Sequence, residues 1–313
     1  MQALVGEHPD EITYRAFLGT VVNNVGLLRE ELGDRIGARG DYQRAVEVFE
    51  CLARDEPGEP RWRSLLAAAH HDLGNILGEL EGPKSGLVEL RKALAIHLEV
   101  TRHHPTVSAF REHLARTHAN IGDLEKKAGD RAAAARSMQR ALEIRAELLR
   151  ANPGVPWYQN QVAASHLNIG VTQFESGDFA CAERSFRQAL AIQAPLAAAH
   201  PDQPNRADTL GLIMYHLGRA QLAMGRSGEA VARIEDAIRH HRTAAAGAPQ
   251  FAKFRRSLVD DYLALARAQR ARSRPAEALA AARAGLDLAP DDPSLRDLRM
   301  DLEFPAQPFA GHE

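Results

Sequence analysis

Apolar positions along the chain recur at helical spacing. Phe110, Leu114, Ile121 and Leu124 line one stripe, and Met138, Leu142, Arg145 and Leu149 hold the i, i+4 and i+7 positions of a second. Between the stripes stands "KAGD", and "ESGD" occupies the same place at Glu175 to Asp178. Glycine there is free to take positive φ and stop a helix, so both stretches predict tight turns. Pro60, Pro156 and Pro204 suit a first helical position, where a missing N–H costs nothing. The pattern predicts helix, short turn, helix, short loop, with roughly 20 residues and about 30 Å per helix.

That unit repeats. Pro9, Pro57, Pro105, Pro153, Pro201 and Pro249 fall 48 residues apart without a gap. Five residues after each proline stand Tyr14, Trp62, Phe110, Tyr158, Arg206 and Phe254, and nine after stand Leu18, Leu66, Leu114, Val162, Leu210 and Leu258. Further columns hold Gly26, Gly74, Gly122, Gly170, Gly218 and Ala266, then Ala45, Ala93, Ala141, Ala189, Ala237 and Gly285. Glycine inside a helix costs about 1 kcal/mol relative to alanine. A glycine column therefore predicts that another helix crosses closely there, with the alanines as the matching concession. A lone helical hairpin cannot cover both its faces, so the units must stack.

Gly122, Ala134, Met138 and Ala141 carry the spacing of small and large positions that resembles the tetratricopeptide repeat, and Pro290 after "LDLA" stands where that family commonly ends a second helix. The period of 48 is longer than the family's 34, so both helices are lengthened. The family's aromatic in the first helix is replaced by Leu77, Glu125, Gln173, Gln221 and Gln269. The long form is similar to the repeat tails of bacterial serine/threonine kinases, but "GDFA" at Gly177 to Ala180 lies in a repeat turn with no catalytic loop beside it.

The resemblance implies an all-α, right-handed α-solenoid, a superhelix of tandem helix-turn-helix units. Its expected divisions are the end of a preceding helix over 1–8, six repeats (9–56, 57–104, 105–152, 153–200, 201–248, 249–292), a capping helix over 293–303 and a loose tail over 304–313. It implies a non-enzymatic scaffold that holds a peptide or partner helix in a groove lined by the first helices. The alternatives are a regulatory tail derived from a kinase-linked protein, or an assembly scaffold self-associating through its N-terminal half-repeat. The family's groove positions carry over onto Asn23, His71, Asn75, Asp123, Lys126, Phe174, Tyr215, Arg219, Arg267 and Arg270. These columns vary between units while the core columns do not. The first groove column has no lysine, so the clamp by which some members grip a C-terminal carboxylate is not expected.

Composition narrows the partners. A net charge of -2 gives no overall pull toward nucleic acid or an acidic membrane. Charge drifts along the array, from six basic and ten acidic residues over 9–56 to nine basic and six acidic over 249–296. Arg219, Arg267 and Arg270 would make the C-terminal end of the groove basic, suited to an acidic segment. No leader is expected from "MQALVGEHPDE", nor a membrane span, so a cytoplasmic placement follows. Cys51 and Cys181 show no CxxC spacing and read as buried or half-buried apolar residues of a reducing compartment. Fourteen histidines raise a metal site, but stacked equivalents such as His70, His118 and His166 would lie about 10 Å apart, too far to share an ion. No metal, cofactor or catalytic residue is expected. The polar column Asn24, Asp72, Asn120, Asn168 and His216 predicts hydrogen bonds between helices.

Overall fold

The computed structural model describes residues 12–304. The half-helix expected over 1–8, and all of the expected tail except Phe304, lie outside the described residues. Among the described residues the regular structure is entirely α-helical, and the chain divides into two compact units, residues 1–158 and 159–313.

The first unit contains α1 (Ile12–Glu31), α2 (Arg35–Asp55), α3 (Pro60–Leu80), α4 (Pro83–His103), α5 (Ser108–Lys127) and α6 (Arg131–Ala151). Each helix packs on the next, and α3 also touches α5. The boundary falls early in α7 (Pro156–Glu175). The second unit continues through α8 (Phe179–Ala199), α9 (Pro204–Ala223), α10 (Ser227–Gly247), α11 (Ala252–Ala271), α12 (Pro275–Leu288) and α13 (Pro293–Glu303). From α8 onward each helix again packs on its successor, and α9 touches α11. This sequential packing of helical hairpins is the α-solenoid fold that the columns predict.

The hairpins close by one steric rule. A Cβ added to Gly26 would stand 2.7 Å from Tyr42, one on Gly122 2.7 Å from Met138, one on Gly170 2.5 Å from Phe186, and one on Gly218 2.7 Å from Ile234. The facing residues Tyr42, Leu90, Met138, Phe186 and Ile234 form a 48-residue column of their own, all buried. In the last hairpin the glycine becomes Ala266, and the facing knob shrinks to Ala282, both fully buried. Hole and knob change together because a packed interior has no spare volume.

The turns obey a second rule. Gly33, Gly129, Gly177 and Gly225 adopt φ between 77° and 88°, and Ser273 takes the same place at φ 57°. Asp34, Asp130 and Asp178 follow their glycines and cap α2, α6 and α8 by accepting from the N–H groups of Gly37, Ala133 and Cys181. Such a cap contributes about 1 kcal/mol. At the far end, Leu295 of α13 is fully buried under Gly285.

Two expectations are corrected. Cys51 is exposed, because it sits on the outward face of α2 beside the buried Leu52. In α6 the buried stripe is Ala134, Met138, Ala141, Ile144, Arg145 and Leu148. Leu142 and Leu149 are only half-buried, one position off that face.

Candidate peptide-binding groove

Neighbouring first helices meet by a register in which a residue reaches the one 49 positions later. Asn23 Nδ2 donates to Asp72 Oδ2 at 3.0 Å, and Asn120 Nδ2 donates to His71 Nε2 at 2.9 Å. Ser64 lies 3.4 Å from His113 Nδ1, and Ser257 donates to Asp208 Oδ1 at 3.4 Å. The expected polar column thus ties helices together at Asp72 and Asn120, whereas Asn24 and Asn168 are exposed.

This register consumes the groove positions of the first unit. Asn120 Nδ2 also donates to Asn75 Oδ1 at 3.0 Å, so His71 and Asn75 share one donor. His71 is only 2% exposed. Burial holds its pKa well below the usual range, helped by Arg116, His97 and His113. An imidazole accepting at Nε2 carries its proton on Nδ1, which faces Thr117 Oγ1 at 3.4 Å. Asn23, His71 and Asn75 therefore join helices. Asp123 and Lys126 lie half-buried on α5, each engaged by a neighbour.

The second unit differs because its groove columns are apolar and aromatic. Phe174 of α7, Tyr215 and Arg219 of α9, and Leu263 and Arg267 of α11 line one cavity of about 260 Å³. Leu222, Ala223, Asp260 and Ala264 complete it. The Arg219 guanidinium lies over the Phe174 ring at 4.7 Å and the Tyr215 ring at 5.4 Å. Phe174 leans on Phe179 at 5.2 Å, which fixes its plane. Two flanking rings hold the guanidinium through its charge on their π-faces. Among the described residues no ion pair engages Arg219 or Arg267. Burial pushes the Tyr215 hydroxyl pKa up, with Arg219 opposing. Burial likewise raises Asp260, although Arg256 stands 3.6 Å away.

Four of the expected groove residues, Phe174, Tyr215, Arg219 and Arg267, are brought together here. Arg270 is turned to Asp301 of α13 at 3.6 Å, and does not line the cavity. Asp260, Ala223 and Ala264 were missed by column reading. Asp260 stands one turn before Ala264 on the same face, which is the signal that could have found it. Among the described residues no cluster of histidine, cysteine and carboxylate side chains is arranged to hold a metal ion. No described helix is long and apolar enough to cross a membrane.

Residues 115–148 match the family model of the tetratricopeptide repeat. That segment is one copy of the pattern that recurs along the chain. The chain carries a tetratricopeptide repeat. The match also locates the extra length of its repeat, which lies in the first turns of α5 and the last residues of α6 with the adjoining loops. No curated protein matches the chain in sequence. Among solved structures it is similar to BtubC (BKLC) from P. vanneervenii, at 17% identity and TM-score 0.59, over 80% of this chain and 89% of that one. It is similar to pilF of Pseudomonas aeruginosa at 16% identity and TM-score 0.54, over 92% and 99%. It is also similar to PilW, a type IV pilus biogenesis factor, at 16% and 0.50, over 90% and 98%. At such identities the likeness is one of fold.

Proposed function

We propose that this protein is a non-enzymatic interaction scaffold whose second unit binds an acidic, partly apolar peptide segment. Tetratricopeptide repeats mediate protein–protein interaction and assembly, and the relatives in structure include a type IV pilus biogenesis factor. The observation that carries the reading is the pair of guanidiniums at one cavity, Arg219 laid on two rings and Arg267 beside it, neither in an ion pair with a described carboxylate, although Asp260 lines the same cavity and acts on Arg219. A cation already immobilised loses little side-chain entropy when a carboxylate arrives. Leu222, Leu263 and Ala264 offer apolar area to an aliphatic neighbour of that carboxylate.

The test is fluorescence anisotropy with a labelled, acetylated peptide of glutamates interleaved with leucines. Wild type should bind, more weakly as salt rises. Arg219→Gln with Arg267→Gln should weaken binding by at least about tenfold, or roughly 1.4 kcal/mol. Equal affinity in the double variant, or no binding by wild type, refutes the reading.

One observation favours a second reading, self-association through the first hairpin. Leu28 is 58% exposed, whereas its equivalents Ile76, Leu124, Ala220 and Ala268 are 4% exposed or less. Ile76 shares one buried cluster with Ala38, Tyr42 and Ala45 of the preceding second helix. The outer face of α1 therefore fits a helix of that kind from another copy. Light scattering over a range of concentrations tests it, since a monomer throughout, or a dimer unaffected by Leu28→Glu, excludes this surface.

A further inference from the structure

A second cavity of the same unit carries a different chemistry. The second helices place Phe49, His97, Arg145, Gln193 and His241 in one column, every one of them buried. Phe49 and His241 point between the helices of their hairpins at a glycine. A Cβ on Gly19 would stand 2.9 Å from Phe49, and one on Gly211 2.6 Å from His241. A polar group held there needs a partner. Arg145 finds Glu112, 33 residues earlier, at 3.2 Å. His241 finds the Asp208 carbonyl, also 33 residues earlier, at 3.2 Å, and the Asp261 carboxylate at 2.6 Å.

His97 has no hydrogen-bond partner on either ring nitrogen among the described residues, and its ring lies 5.6 Å from that of His113. The hairpin of α7 and α8 differs from all of these. The residue 33 positions before Gln193 is Asn160, so a neutral carboxamide faces another neutral carboxamide. Gln193 is only 3% exposed, yet among the described residues neither it nor Asn160 has a side-chain hydrogen-bond partner. Both line an open cleft of about 380 Å³, together with Gln161 of α7 and Gln203, Asn205 and Thr209 at the start of α9. Ala163 and Ile213 supply its apolar wall, and no carboxylate lines it. Its one cation, Arg206, gives Nε to Gln203 Oε1 at 2.6 Å. The site is built on the turns by which this repeat exceeds the ordinary one, because Asn160 and Gln161 are equivalent to Glu112 and His113, just before the matched segment.

We infer that this cleft binds the main chain of an extended, uncharged peptide segment. Carboxamides each offer a donor and an acceptor, which complements the alternating C=O and N–H groups of a backbone. A purely apolar occupant would strand the buried Gln193 amide, at about 1–3 kcal/mol. A polyanion would meet only one cation, Arg206, whose Nε is held by Gln203 while its Nη1 has no hydrogen-bond partner among the described residues. The small Ala163 and Ala164 let a backbone approach the α7 surface closely. Recognition of this kind reads the path of the chain rather than its side chains. The inference rests on the peptide-binding reading above, but uses none of the residues of the charged cavity.

The experiment uses the full chain and an array of acetylated, amidated hexapeptides that contain no Asp, Glu, Lys or Arg. Wild type and the Arg219→Gln, Arg267→Gln variant should retain the same peptides. Gln193→Leu should lose them by about tenfold, the worth of one or two neutral hydrogen bonds. Asn160→Leu, at the half-buried rim, should do likewise and guards against a folding defect at Gln193, with thermal unfolding measured for both. N-methylation of alternate backbone amides in the best-retained peptide should abolish binding, while alanine replacement of its side chains changes it little. The inference is overturned if wild type retains no uncharged peptide, if both leucine variants bind as wild type, or if N-methylated peptides bind equally. Loss of acidic-peptide binding alone in the arginine variant leaves it standing, so failure of either site is seen separately.

Discussion

The pairing of Gly170 with Phe186 makes a prediction of sign. A Cβ at residue 170 would lie 2.5 Å and 2.7 Å from two carbons of a fully buried ring. A rigid ring cannot yield as the end of a methionine can, and it is also stacked on His216 at 5.5 Å. Overpacking of this kind costs about 1–3 kcal/mol. Alanine recovers about 1 kcal/mol of helix propensity over glycine. Gly170→Ala should therefore destabilise by about 1 kcal/mol. Phe186→Ala alone should cost about 3–5 kcal/mol through the cavity it leaves. With the ring gone the clash is gone, so Gly170→Ala made in that background should stabilise by about 1 kcal/mol. The double variant reproduces the pair that the last hairpin already uses, Ala266 against Ala282. Urea unfolding followed by circular dichroism gives the four corners of the cycle, and amide exchange along α7 and α8 gives them locally if the units unfold separately. The same sign for Gly170→Ala in both backgrounds would refute the knob-and-hole account.

Two further predictions concern stability. In the first unit, burial, assisted by His113 and Arg116, lowers the His97 pKa from 6.5 to about 3, and burial holds His71 well below 6.5. Below pH 6.5 the unfolded chain binds protons that these folded rings refuse, so stability is full above that pH and falls as pH drops toward 3. The expected slope is about 1.4 kcal/mol per pH unit for each ring. Urea midpoints at neutral and mildly acidic pH should differ less in His97→Leu than in wild type, and equal losses would refute the assignment. Ser273 is the one described non-glycine residue at positive φ, so Ser273→Gly should raise the melting temperature, gaining about 1 kcal/mol. An unchanged or lower value would show that the turn relaxes instead.

The helices and their pairing were legible in the sequence because a repeated unit prints its steric needs at a fixed interval. A glycine at one position in five successive hairpins has few meanings other than a close crossing, and a large side chain stands against each. The turns were legible for the same reason, since positive φ selects glycine at each of them but the last, where Ser273 stands. The long-range contacts were not. That Asn120 serves both His71 and Asn75 follows from a register of 49 rather than 48, an offset set by how first helices lie against each other and printed in no single column. The same offset left Asn23, His71 and Asn75 of the first unit in helix–helix bonds, while Phe174, Tyr215, Arg219 and Arg267 of the second line a cavity. Nor could spacing reveal that Gln193 and Asn160 lack the charge that closes the neighbouring hairpins. The sequence by itself determined the repeat, its helices and its turns, because these obey local sterics. Only the tertiary structure decided which polar side chains are spent on one another and which are left to a ligand, because that depends on distances between residues far apart in the chain.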